Sequence, residues 1–141
     1  MGAVMTELDD LEDIPGPEGQ LTLKLVAMPK DTNLHGDISA SWVVSQMEQA
    51  AELTAARLAK GRTATVALSS MDFLCPVRLG SLVEVHSQLV ETGTSSLKIN
   101  IEVWILPPNE QDPNSLYKVT EATFVMVALD DKGRIRTLPK C

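Results

Sequence analysis

The stretch Asp37-Ile-Ser-Ala-Ser-Trp-Val-Val-Ser-Gln-Met-Glu-Gln-Ala-Ala-Glu-Leu-Thr-Ala-Ala-Arg-Leu-Ala-Lys60 decides the fold. Its apolar residues recur at helical spacing, Asp37 or Ser39 can cap its start, and Gly61 stops it. With Met47 as origin and about 100° per residue, Val43, Val44, Ala51, Ala55 and Leu58 make one stripe. Gln46, Arg57 and Lys60 lie on the opposite side. Glu48 falls at roughly 100°, on the shoulder of the stripe between Ala55 and Ala59. A carboxylate half-dried among alanines, with Glu52 one turn on, would be a better general base than one in water. The same spacing also fits a solvated glutamate at the helix edge.

Working outward, the flanks read as strands. Leu21, Leu23 and Leu25 alternate with polar residues, and Thr63 to Met71 is strand-like. Leu82 to Val90 alternates with Glu84, His86 and Gln88 on a wet face. The alternation is clearest from Leu97 to Ile105, and Tyr117 to Leu129 is apolar on both faces near its end, as for a central strand or a subunit contact. The order is strand, helix, then four strands joined by short turns, an antiparallel meander whose apolar face only this helix can cover. The expected class is therefore α+β, one long central helix wrapped by a curved antiparallel sheet of about five strands. One helix does not cover such a sheet completely, which predicts at least a dimer.

A chain of 141 residues fits one domain, with 44% hydrophobic residues and 22% charged, an ordinary globular composition. The net charge of −7 is uneven. Residues 1–20 carry Glu7, Asp9, Asp10, Glu12, Asp13 and Glu18 without a base, leaving thirteen acids against twelve bases over 21–141. Residues 1–20 read as an acidic, disordered or loosely docked tail and 21–141 as the domain. This balance argues against nucleic-acid binding. No segment reads as a secretion signal or membrane span. Met1-Gly2 with Thr6 fits a myristoylation pattern in form, but the acids behind it repel anionic lipid. Cys75 and Cys141, without a CxxC, indicate neither a disulfide framework nor a zinc site, so a reducing cytoplasm is expected.

The loop before the helix places Asn33, His35 and Asp37 at alternate positions, beside backbone N–H groups that a helix start leaves unpaired. Such donors polarise a carbonyl; alone, the same residues serve a turn and a cap. No nucleophile elbow, phosphate loop, dinucleotide fingerprint or zinc-protease motif occurs. His35 and His86 are the only histidines, which leaves little for a Ser-His-Asp triad or a metal site.

In combination, Ala27-Met-Pro-Lys-Asp-Thr-Asn33, Gly36-Asp-Ile38, Trp42, Ser45-Gln-Met47 with an acid at 48, Phe73-Leu74-x-Pro76-Val77, Asn100-Ile-Glu-Val-Trp104 and Thr120-Glu-Ala122 resemble bacterial acyl-CoA thioesterases of the YciA type. These belong to the hotdog-fold superfamily, and the resemblance covers about residues 21–140. It implies a helix wrapped by an antiparallel sheet. It also implies dimers as active units, commonly three to a hexamer, with active sites between protomers. Its catalytic acid, usually Asp, would be Glu48, acting as base for water or attacking the thioester itself. Asn33 would position water or substrate from across the interface. Gly36, Asp37, Ala40 and Ser41 would lie at the helix start that holds the thioester oxygen, with Asp37 in the catalytic loop. Thr94, Ser95 and Ser96, with Arg134 and Arg136, would meet the coenzyme A phosphates.

Coenzyme A would enter only as part of substrate and product, with no metal or other cofactor. The chain departs from the family in having Ala40-Ser41 for Gly-Gly, Glu for Asp at 48, and Cys75 where a base often precedes Pro76. The implied reaction is hydrolysis of acyl-CoA to a free acid and coenzyme A. Two other readings remain: a non-catalytic acyl-CoA binding module, motivated by Ala40-Ser41, and a hotdog enoyl-CoA hydratase. The second rests on Asp31-Thr-Asn33-Leu-His35, which is similar to the Asp-x-Asn-Pro-Leu-His signature of those hydratases but lacks the proline.

Overall fold

A computed structural model describes residues 16–140. The acidic segment expected over residues 1–20 lies mostly outside them, as does Cys141. The chain forms strand β1 (Gln20–Val26), a 3-10 turn (Pro29–Asp31), helix α1 (Ala40–Ala59), and strands β2 (Thr63–Leu68), β3 (Leu82–Thr92), β4 (Ser96–Leu106) and β5 (Tyr117–Ala128). All strands pair antiparallel in one open sheet of order β1-β3-β4-β5-β2. Only β3-β4-β5 is a meander. β2 pairs with β5 at the far edge instead of with β3, and residues 69–81 carry the chain back across the sheet. Sequence pattern fixes which segments are strands, but which strand each one meets is settled by how the sheet wraps the helix.

α1 lies on the face of the sheet lined by Ile99, Ile101, Val103, Phe124 and Met126, all sealed from solvent. Its buried residues are Val43, Met47, Ala50, Ala51, Ala55 and Ala59, where small side chains let the helix sit close to a curved sheet. Burying a side chain the size of Met47 or Phe124 contributes about 1.5–3 kcal/mol. The buried row runs 43-47-51-55-59, an i,i+4 ridge that winds round the helix by about 40° per step. This corrects the stripe predicted above. Val44 is only half-buried, and Leu58 is 42% exposed because the ridge has already turned toward Ala59.

His86 is a second correction. It is on the outer face of the sheet, yet only 9% exposed, because large neighbours close over it. Its Nε2 is 2.9 Å from Glu84 Oε1, Glu102 is directly opposite on β4, and Glu102 in turn accepts a 2.7 Å hydrogen bond from the indole of Trp104. No helix among the described residues is long and apolar enough to cross a membrane.

Candidate active site

The loop entering α1 is built around Asn33. Its amide oxygen accepts the backbone N–H groups of His35 (2.9 Å) and Asp37 (3.1 Å), while its own N–H donates to the Asp37 carbonyl (2.6 Å). Gly36, at φ 84°, closes the turn with an N–H donated to Asn33 O at 3.1 Å. Ser39, not Asp37, is the N-cap, accepting the Trp42 N–H at 3.2 Å. Val43 N–H reaches Ser39 O. The first two helical N–H groups, those of Ala40 and Ser41, are therefore left without acceptors inside the helix, with both residues exposed. Two parallel donors at the positive end of a 20-residue helix suit an oxyanion. The Asn33 oxygen is committed to the turn, so only its amide NH2 remains for a substrate or water.

Glu48 is exposed in the single chain. The helical angle that set it beside Ala55 and Ala59 is misleading, because those alanines belong to the last two turns. At the level of Glu48 the buried ridge points about 60–100° away. The shoulder position therefore does not dry this carboxylate within one protomer. Nor can Glu48 serve the N–H groups of its own helix start: it is eight residues on, about 12 Å along the axis, beyond the reach of its side chain. A site that used both Glu48 and the helix start would have to draw them from different chains.

The remaining predicted residues gather at the opposite end of α1, about 30 Å from its start. Thr94 and Ser95 lie in the β3–β4 turn and Ser96 opens β4, with the turn tied to the end of β5 by Ala128 N–H to Ser95 O and to the C-terminal stretch by Leu138 N–H to Thr94 O, both 2.9 Å. Arg134 is exposed, with Nε 3.3 Å from Asp130 Oδ2. Arg136 is occupied: its Nη2 donates to Ala59 O at 2.7 Å and its Nε to Leu129 O at 2.8 Å, with Nη1 on Thr137 O. It caps the helix C-terminus from strands away. Gly61 makes room for it, since a Cβ there would stand 2.9 Å from Nη2.

Two measurements follow from this end of the molecule. Arg136→Ala leaves the Ala59 and Leu129 carbonyls unpaired, and urea unfolding should show a loss of about 1.5–3 kcal/mol; a change within about 0.5 kcal/mol would leave the clamp without weight. Asp130 is held below the ordinary aspartate range by the Arg134 backbone N–H first, then the Lys132 N–H and the Arg134 guanidinium. A depressed folded-state pKa stabilises above the unfolded value and is lost as pH falls through the folded one. Below the usual aspartate range, the wild type should therefore lose stability that Asp130→Asn never had, as read from melting temperature against pH.

Against the start of α1 runs an apolar groove of about 350 Å3, between Ala40 and Val43 on one side and Phe73, Leu74, Val77 and Val119 on the other. Cys75 is also in its wall, donating to the Lys118 carbonyl at 3.3 Å, and burial pushes its thiol pKa up. A thiol kept protonated is a poor nucleophile. Nothing in the spacing of Val43 or Val119 marks them as site residues; as core-pattern positions they read only as packing. Among the described residues no three His, Cys, Asp or Glu side chains gather as metal ligands would.

One curved antiparallel sheet around a single helix, with the helix start bare and set against an apolar groove, defines a hotdog-fold protein of the acyl-thioester-binding kind. The thioesterase superfamily profile matches residues 35–110, and the chain belongs to that superfamily. It is 42% identical over 135 residues to the acyl-CoA thioester hydrolase YciA of Salmonella typhimurium, covering 96% of this chain and 98% of that one. Among solved structures, HI0827, a hexameric broad specificity acyl-coenzyme A thioesterase, superposes with a TM-score of 0.84 at 40% identity over 89% of this chain and 85% of that one. The hexameric thioesterase y2039 from Yersinia pestis gives 0.83 at 43% identity, over 89% and 100%.

Proposed function

We propose that this protein hydrolyses acyl-CoA thioesters to a free acid and coenzyme A. The observation that carries the reading is the pair of unpaired N–H donors on Ala40 and Ser41 beside an apolar groove. The thioester carbonyl oxygen accepts from these donors. A water positioned with help from the Asn33 amide loses a proton to Glu48 of a second chain as its oxygen bonds to the carbonyl carbon. The negative charge rests on the oxygen at the helix start. It returns as the C–S bond breaks, and the departing thiolate takes the proton from Glu48. Thioesters lack much of the resonance that protects esters, so a base with oriented donors suffices without metal or redox cofactor. Attack by Glu48 itself, through a mixed anhydride, uses the same geometry.

The dimer this chemistry needs forms most simply along β2, an edge strand with exposed Val66 and Leu68, continued by Phe73 and Leu74. Three such dimers make the hexamer, as in the relatives described as hexameric. Within it, Thr94 to Ser96 and Arg134 stand to meet coenzyme A phosphates, while Arg136 has three of its five N–H donors committed to backbone carbonyls and two left for such a contact. The cysteine pattern suits a cytoplasmic setting.

The direct test is thiol release across short, medium and long acyl-CoAs, with crotonyl-CoA hydration followed in parallel by absorbance. Thiol release at enzymatic rates supports the reading. Saturable acyl-CoA binding without thiol would make the protein a binding module, and loss of crotonyl absorbance alone would make it a hydratase.

A further inference from the structure

The groove at the helix start has Cys75 and Pro76 in its wall. On the other side of the Cys75–Pro76 wall opens a second groove of about 450 Å3, at the β4–β5 end of the sheet. Its floor is Ile105, Pro107 and the ring of Tyr117, which is 51% exposed. Its charged edge is Arg78. Among the described residues Arg78 has no carboxylate within ion-pair distance, which it shares with Arg57, Lys60, Arg62, Lys132, Arg136 and Lys140; of these, Arg78 alone borders this groove. Glu110 also borders the groove, with its Oε1 accepting the Asp112 N–H at 3.1 Å. An apolar groove beside the scissile carbonyl, with a guanidinium on the adjoining groove across Cys75 and Pro76, suits an acyl chain with an anion at its far end.

We propose that Arg78 recognises the distal carboxylate of ω-carboxyacyl-CoA thioesters, with the chain crossing from the first groove to the second. This rests on the hydrolase reading above and names its substrate class. Arg78 presents a planar fork that matches a carboxylate with two parallel hydrogen bonds, and Tyr117 covers the methylenes beside it. The site bears on chain length too, because only chains long enough to pass Cys75 and Pro76 reach the guanidinium.

The test compares thiol release from glutaryl-, adipoyl-, suberoyl- and sebacoyl-CoA with that from monoacyl-CoAs of matching length, for the wild type and for Arg78→Ala. The expected result is a wild-type preference in kcat/KM of about 10-fold or more for the carboxylated chain at one length or over a narrow range. Arg78→Ala should abolish that preference while leaving monoacyl hydrolysis unchanged. Arg78→Lys, which keeps the charge without the fork, should restore only part. A wild type without preference at any length overturns the assignment, as does a preference that survives in Arg78→Ala. An equal rise in KM for both substrate sets would mean that Arg78 holds the coenzyme A phosphates, and also overturns it. In each of those cases hydrolysis itself persists, so the hydrolase reading stands. Absence of thiol release from every substrate overturns both.

Discussion

Glu48→Gln should lower kcat/KM for acyl-CoA hydrolysis by about 10²-fold or more, the scale at which a positioned general base contributes. The substitution keeps the shape of the side chain and removes only its capacity to take a proton. Glu48 is exposed in the single chain and forms no hydrogen bond or ion pair among the described residues, so the melting temperature should not move. The loss should appear in kcat, because the carboxylate acts on water and not on the coenzyme A moiety. Glu48→Asp, the residue usual in the family, should keep much of the activity. Undiminished hydrolysis by Glu48→Gln would remove this carboxylate from the reaction and leave the helix start without its base.

The second large effect concerns where that base comes from. If Glu48 of one chain serves the helix start of another, two inactive variants should complement each other. Asn33→Asp is the suitable partner: its carboxylate can still accept the His35 and Asp37 N–H groups that shape the loop, but it no longer donates. Each variant alone should be nearly inactive. After unfolding and refolding together in equal amounts, half of the dimers are mixed, and two-fold symmetry gives each mixed dimer one site with both lesions and one with neither. Activity should then recover to about a quarter of wild type. A site contained within one chain predicts no recovery at all, whatever the ratio. The measurement needs only thiol release on the mixed sample, with either variant refolded alone as control.

Much of the fold could be read in the residues. The alternation from Leu97 to Ile105 and the run from Ser39 to Gly61 have unambiguous periods, and the structure has β4 and α1 there. Two properties escaped because they belong to the assembled sheet. The winding of the 43-47-51-55-59 ridge cannot be seen in a fixed angular wheel, which misplaced Leu58 and made Glu48 look drier than it is. The burial of His86 depends on Glu102 and Trp104, from another strand, closing over it.

The candidate site divides the same way. The donors at the helix start follow from local rules alone, since a capped helix always leaves its first N–H groups free. Glu48 and Asn33 owe their roles to the resemblance, because spacing alone fits an ordinary helix edge and an ordinary turn. Arg136 pointed to phosphate by its charge, but the carbonyl it caps is 77 residues earlier, and no sequence pattern carries that distance. Arg78 had no signal in the sequence, being one exposed arginine among several until the two grooves appear on either side of Cys75.

That long reach of Arg136 bears on how the molecule is made. A nascent chain emerging from the ribosome presents α1 early, with its last carbonyls bare, and the guanidinium that satisfies Ala59 is synthesised only after every strand has appeared. Non-local closure of this kind raises contact order and slows folding. The final turn of the helix should therefore fray until Arg136 has emerged, so that the base of the helix locks only after all five described strands are available to pair.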